Sequence, residues 1–374
     1  MPAKKVIVSV TNDLATDQRV HKVCVYLHNK GCKVTLVGRR LSNSMPMQRP
    51  YKFKRMRLFF SKGALFYAEY NKRLFLYLLF RKVDVLVAND LDTLLANKTA
   101  VKFKRNCALV YDSHEYFTEV PELVSRPKIQ RVWERIEEKI FPKLDNIYTV
   151  NSSIAKLYEE KYQKKIHVVR NMAPQLIEQN SYTKAELGMP LDKKIILVQG
   201  AGINIDRGIE ELLLAMDFLQ GYHLLIIGSG DVVPLLKERA KNRSDVSFID
   251  KKPYDVMMRY TSHADVGVSL DKDTNINYRY SLPNKIFDYI QAGVPILASN
   301  VVEVKTIVEK YKIGAITPSH EPSAIAKTVR LIVEEMNKTD LLDNLKTAAT
   351  ELNWEIESKV LDVVYHPLIN SNEH

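Results

Sequence analysis

Three cysteines in 374 residues, Cys24, Cys32 and Cys107, are too few and too oddly spaced for a disulfide framework or a metal cage. They suit reduced thiols in a cytoplasm. Long apolar runs are missing as well. The longest candidate, Leu74 to Phe80, falls far short of the roughly 20 residues of a membrane span. The opening stretch MPAKKVIVSV lacks the apolar core of a signal peptide and leads straight into a strand. No G-x-G-x-x-G stands at the first strand–helix turn, and no G-x-x-x-x-G-K-[ST] occurs anywhere, which argues against dinucleotide and P-loop chemistry. No short-period repeat, low-complexity segment or Ser-His-Asp arrangement stands out.

An apolar share of 46% and a charged share of 26% are ordinary for a soluble globular chain. The length favours two domains, each with its own core. The net charge of +11 is uneven. Between Arg49 and Lys82 ten Lys or Arg face a single acid, Glu69, with ten aromatic residues interleaved. A charge confined to one window, without a recognition motif, argues against a nucleic-acid-binding protein. It suits instead an anionic membrane surface, with basic side chains projecting beside exposed rings.

In order, the chain reads as alternating strands and helices. A strand at Val6–Val10, a helix from Asp17 stopped by Gly31, and a strand at Lys33–Val37 open a doubly wound parallel sheet. A helix over about Gly63–Lys82 follows, then strands Val83–Val87, Leu109–Tyr111, Asn146–Val150 and Ile166–Val169. Helices are expected at Leu91–Lys104, Pro127–Phe141 and Ser152–Tyr162. A polar connection runs from Arg170 to about Asp192, with Thr183 and Glu186 placed as a capping box. A second alternating series then starts with strand Ile195–Val198 and a helix at Arg207–Leu219. It continues through strands Leu224–Ile227, Val246–Ile249, Val266–Leu270 and Ile313–Thr317. Polar residues massed at the carboxyl end of a buried strand, such as Asp112-Ser113-His114-Glu115, mark where ligands bind in open parallel sheets.

The stretch Tyr280–Ser299, YSLPNKIFDYIQAGVPILAS, organises the second half. It reads as a loop, a helix with Pro283 in its first turn, a stop at Gly293 and a short strand at Val294–Ala298. Ile286, Tyr289 and Ile290 make the buried stripe. Lys285 and Asp288 share another edge, where a cation can meet a phosphate and a carboxylate can accept from sugar hydroxyls. An intrahelical ion pair is the plain alternative. The order Leu282-Pro283-Asn284-Lys285, Phe287-Asp288-Tyr289, Ala292-Gly293-Val294-Pro295 resembles the donor-binding segment of retaining glycosyltransferases of family 4, which have the GT-B fold. The resemblance implies two Rossmann-like doubly wound domains facing a central cleft. Residues 1–170, joined by a C-terminal crossover helix at 353–374, would form the acceptor side, and 171–352 the nucleotide-sugar side.

By that resemblance Asp288 falls on the second carboxylate of an E-x7-E motif, which contacts the ribose. Tyr280 stands where the first carboxylate is found. Arg207-Gly208 matches a Lys-Gly pair that holds the diphosphate, while Gly202 replaces an upstream Arg and Lys285 supplies a second cation. Gly228 and Gly230 line the nucleotide pocket, with Ser281, Leu282, Pro283 and Asn284 beside it. His114 matches a histidine next to the donor sugar, Glu115 adjoins it, and Asn12, Asp17 and Arg19 face acceptor or donor. Arg207 has a surface alternative in Asp206 or Glu210, and Asp17 in capping its helix. Asp271-Lys272-Asp273 spells the D-x-D metal motif of a different glycosyltransferase fold; no metal or cofactor is expected here.

The expected activity is metal-independent transfer of a hexose-type sugar, with retention, from a nucleotide diphosphate to a glycan or lipid-linked acceptor, in polysaccharide or glycoconjugate synthesis. The expected location is cytoplasmic, at the inner face of the cell membrane. A sugar-nucleotide epimerase on the same fold, and a donor-binding protein without catalysis, are the alternatives. Turnover without an acceptor separates them.

Overall fold

The computed structural model describes residues 3–15, 17–42, 44–176 and 182–370. Residues 177–181 of the expected connection and 371–374 of the expected C-terminal segment lie outside these. The chain divides into two units. Unit 1 comprises Met1–Arg170 and Ser358–His374, and unit 2 Asn171–Glu357. The return to unit 1 thus begins at Ser358, later than the expected 353, because Trp354 N–H donates to the Ala173 carbonyl within unit 2 at 2.9 Å.

Unit 1 holds β1 (Lys5–Asp13), β2 (Lys33–Arg39), β3 (Lys52–Met56), β4 (Val85–Asn89), β5 (Ala108–Ser113), β6 (Asn146–Thr149) and β7 (His167–Val168). Their spatial order is β3-β2-β1-β4-β5-β6-β7. Unit 2 holds β8 (Lys194–Gly200), β9 (Tyr222–Gly228), β10 (Val246–Ile249), β11 (Val266–Ser269), β12 (Ile296–Ala298) and β13 (Gly314–Ile316), in the order β10-β9-β8-β11-β12-β13. Neighbouring strands pair in parallel on both sides of β1 and β8. Each order reverses once, between β1 and β4 and between β8 and β11. At such a point adjacent connections leave toward opposite faces and open a crevice at the carboxyl ends of the strands.

Continuous apolar runs form these strands because helices cover both faces. In unit 2 the alternation is visible in the core itself. Ile196, Val198, Leu224, Ile226 and Val268 pack on one side of the sheet. Ile195, Leu197, Leu225 and Ile227 pack on the other, against Ile286, Tyr289 and Ile290 of the helix Lys285–Gln291. All three thiols are free.

The structure departs from the expected elements in several places. Pro283 precedes the helix, whose N-cap is Asn284. The strand after Gly293 is only Ile296–Ala298. The helix after β8 starts at Ile209, because Gly208 takes a left-handed conformation at its N-cap. Thr183 and Glu186 do form the reciprocal capping bonds, at 2.8 Å and 3.3 Å, but around a turn and not a helix. Strand β3 was missed in the polar run KFKRM, and the helix Gly63–Leu79 stops short of Lys82. A helix at Lys338–Glu351 was missed too, and the expected last helix is broken into Trp354–Glu357 and Val360–Ile369.

Candidate active site

In unit 2 the loops leaving β8 and β11, on the two sides of the switch point, meet through a backbone hydrogen bond from Lys272 N–H to the Asp206 carbonyl at 2.9 Å and through an ion pair. Arg207 Nη1 donates to Asp271 Oδ2 at 2.5 Å, and the guanidinium lies 4.1 Å from the centre of the Tyr278 ring. Neither Asp206 nor Glu210 takes that role. Asp271 is wholly buried, and its Oδ2 also accepts the Ser281 hydroxyl at 2.8 Å. Ser299 donates to its backbone carbonyl at 2.5 Å. Asp271 therefore ties the Arg207 loop to the segment before Lys285. Sequence reasoning set it aside as half of a metal motif, although it is the first polar residue after a buried strand, the signal that singled out His114. The other half, Asp273, pairs with Arg279 at 2.8 Å.

The Lys285 side chain makes no ion pair or hydrogen bond among the described residues. Burial lowers its pKa; Asp271 opposes that shift and the charge of Arg207 adds to it. Two cations thus share one carboxylate. Arg207 Nε and Asp271 Oδ1 are buried without a partner among the described residues. An arrangement with one positive charge in excess is suited to an anion.

The glycines beside it are demanded by packing. A Cβ on Gly208 would stand 2.5 Å from the Leu270 carbonyl oxygen, and one on Gly228 would run into the carbonyl of Gly200. Gly230 is pressed in the same way against Ile203. These contacts hold the β8 and β9 loops together, with Ser229 N–H donating to the Gly200 carbonyl at 3.1 Å. Asp288 is buried; Tyr254 donates to its Oδ1 at 2.9 Å and Gln199 to its Oδ2 at 3.2 Å. Tyr254 and Gln199 had no sequence signal. Leu282 packs against the core, while Asn284 is exposed.

In unit 1 the carboxyl ends of β1, β4 and β5 converge. Arg19 forks onto Asp112 through Nε and Nη2, at 3.2 Å and 2.6 Å, and Nη1 donates to the Val169 carbonyl at 2.7 Å. Arg19 is buried and committed to Asp112, which corrects its expected place as a substrate contact. Asp17 does cap its helix, accepting from Val20 N–H at 3.1 Å, and Asn12 donates to its other oxygen at 3.0 Å. His114 lies between two carboxylates. Nδ1 is 3.2 Å from Asp90 and Nε2 is 3.3 Å from Asp112. Burial works against the charged ring, yet Asp90 and Asp112 raise it to about 9. Burial likewise opposes ionisation of Asp112, but Arg19 and His114 bring it down to about 2. Glu115 is half-buried beside them; its backbone carbonyl accepts the Ser113 hydroxyl at 2.8 Å.

The basic-aromatic window divides between core and surface. The helix Gly63–Leu79 buries Phe66, Tyr70, Leu74 and Leu78 at four-residue spacing and exposes Leu65 and Leu76. Phe59 and Phe80 are 87% and 80% exposed, and Phe53 and Phe60 are exposed too. Phe75 packs edge-on against Phe103. Lys52, Lys54, Arg57 and Lys62 are exposed, whereas Arg55 pairs with Asp13 at 3.3 Å. Arg40, Lys54, Arg55, Arg57 and Arg73, with Phe53, line a groove of about 810 Å³ beside β3. No helix among the described residues is long and apolar enough to cross a membrane.

The family model for Glycosyltransferase Family 4 matches residues 17–173, and that for Glycosyl transferases group 1 matches residues 181–351. The chain belongs to the family 4 glycosyltransferases. The glycosyltransferase matches no curated protein. Its fold is that of solved GT-B structures. Sucrose-phosphate synthase from Thermosynechococcus elongatus is 16% identical with a TM-score of 0.78, over 99% of this chain and 100% of that one. WaaG, a glycosyltransferase involved in lipopolysaccharide biosynthesis, is 13% identical with a TM-score of 0.71, over 96% and 99%. Anabaena HepE, solved with UDP and glucose, is 14% identical with a TM-score of 0.72, over 96% and 99%.

Proposed function

We propose that this glycosyltransferase moves a hexose-type sugar, with retention, from a nucleotide-diphosphate sugar to a glycan or lipid-linked acceptor in polysaccharide or glycoconjugate synthesis. The observation that carries the reading is the pair of cations, Arg207 and Lys285, around the single carboxylate of Asp271. A diphosphate brings the charge this arrangement lacks, and breaking its bond to the sugar builds more, so fixed cations lower the barrier. Asp271 and Asp273 are committed to arginines, and we infer that the two cations serve in place of a metal. The HepE structures with UDP and with UDP-glucose support a sugar nucleotide as donor.

In this reading Asp288 holds the ribose, and the backbone at Gly208, Gly228 and Gly230 lets the nucleotide approach, beside Ser281, Leu282, Pro283 and Asn284. Unit 1 takes the acceptor, with Asn12, Asp17, His114 and Glu115 as contacts and Arg19 holding Asp112. The acceptor oxygen bonds to the anomeric carbon on the face from which the diphosphate leaves, and the acceptor's proton passes to the departing phosphate oxygen. No protein nucleophile is then required. The exposed rings and cations around β3 and the helix Gly63–Leu79 seat the enzyme on the anionic inner face of the cell membrane, where a lipid-linked acceptor resides.

Thermal-shift screening of nucleoside diphosphates and their sugars identifies the donor. With it, Arg207→Ala and Lys285→Ala are each expected to lower kcat/KM about ten- to a hundredfold, since a charge-assisted contact is worth roughly 1.5–3 kcal/mol. Unchanged kinetics in both variants would remove the assignment. Turnover without any acceptor would favour the epimerase.

A further inference from the structure

Asp90 adopts φ 58° and ψ 168°, a backbone conformation that glycine takes and other residues avoid. Its local contacts account for the conformation being held. Asp90 N–H donates to the Asp112 carbonyl at 2.8 Å, and Oδ1 accepts the backbone N–H of His114 at 2.7 Å. Oδ2 then faces ring Nδ1 at 3.2 Å. On the other side of the ring, Nε2 meets Asn89 Oδ1 at 3.1 Å and Asp112 Oδ2 at 3.3 Å. Both ring nitrogens therefore face oxygens, and with Asp90 and Asp112 ionised those oxygens only accept. A neutral imidazole has one N–H and would turn a lone pair toward a carboxylate; the doubly protonated ring satisfies both sides. Asp112 stays ionised through the fork from Arg19.

We propose that Asp90 and Asp112 hold His114 as a permanent imidazolium, so that it supplies a fixed positive charge to the transfer and never acts as a proton acceptor. Asp90 is then a positioning residue acting through His114. The other ionisable groups facing the ring and its clamp are Arg19 from the helix Gln18–Asn29, Asp92 just after β4, and Glu115 after β5. Asp92 is buried and bonded to Thr11 at 2.5 Å, and burial raises its pKa to about 7. Burial also lifts Asp90 against the pull of His114. The clamp works while Asp90 and Asp112 are both ionised; it loosens when falling pH protonates Asp90, whose pKa burial raises, and is lost when rising pH strips the ring. The proposal rests on the glycosyl-transfer reading for its effect on turnover, but the protonation state is read without substrate, so the two fail separately.

The test is an NMR titration of the imidazole resonances in the full chain, with His114 assigned by its loss in His114→Gln. The wild-type ring is expected to stay doubly protonated through pH 8. In Asp90→Asn its titration should move down by about two pH units, and kcat should then fall about tenfold between pH 6 and pH 8, while the wild-type profile stays flat. Asp90→Gly removes the carboxylate but suits the backbone. A purely structural role predicts normal His114 protonation in that variant; the proposal predicts the same downward shift as in Asp90→Asn. A wild-type ring that is neutral at pH 7 overturns the proposal without any variant.

Discussion

Asp288 is engaged before any ligand arrives, since Tyr254 and Gln199 already donate to its two oxygens. A carboxylate oxygen accepts more than one hydrogen bond, so in the proposed reading the ribose hydroxyls would join those partners. Asp288→Asn keeps the shape and turns one acceptor into a donor. Affinity for the nucleoside diphosphate is expected to fall about tenfold, the roughly 1.5 kcal/mol of a hydrogen bond to a charged group. Calorimetry giving wild-type affinity would leave Asp288 as an internal anchor for Tyr254. At this scale the sequence was partly legible. Lys285, Asp288 and Arg207 could be named from spacing and resemblance. The partner of Arg207 could not, because Asp271 lies 64 residues away and reaches it only through the order of strands β8 and β11. Nor does any sequence pattern announce that Asp90 is bent back onto His114.

The elements were legible where burial writes a pattern. VIVSV and IILV are apolar but for Ser9, whose hydroxyl is spent on the Val87 carbonyl, because both faces of their strands are covered, and they were placed to within a few residues. KFKRM was missed because β3 is an edge strand whose side chains are mostly exposed, so no apolar run marks it. The helix Gly63–Leu79 is apolar on its outer side as well as its inner one, which a helix facing only water has no need to be. Flotation with anionic liposomes is expected to carry the protein at low salt and release it at high salt. Replacing Lys52, Lys54, Arg57 and Lys62 with Gln should weaken binding by roughly a thousandfold, at about 1 kcal/mol for each cation. Arg55 stays in that variant, because it pairs with Asp13 and its loss would disturb the loop. No flotation at low salt would show that the exposed rings serve something other than lipid.

At the scale of the molecule, the two-unit reading followed from length and from the repeated alternation of strands, but the exact return of the chain did not. The helix Val360–Ile369 belongs to unit 1, where it buries Leu361, Val364 and Tyr365. Asp362 accepts from Tyr26 at 2.7 Å and pairs with Lys30 at 2.6 Å, and the Tyr365 hydroxyl meets that of Tyr148 at 3.1 Å. A chain ending at Glu357 is expected to lose about 5 kcal/mol from unit 1, at roughly 1.5–3 kcal/mol for each buried side chain. Unit 2 keeps all its residues and should melt as before. Calorimetry should resolve two transitions, of which only one moves, as suits a chain that does not unfold in one step. The same helix sets a clock during synthesis. Unit 1 has strands β1 to β7 once Val168 has left the ribosome, yet the 187 residues 171–357 come before Ser358. At about 5–20 residues per second the sealing helix arrives roughly 10–40 s later. Through that interval Tyr26 and Tyr148 lack their lid, and a nascent chain is open there to chaperones and to its neighbours on the same message. The half that starts first is the half that finishes last.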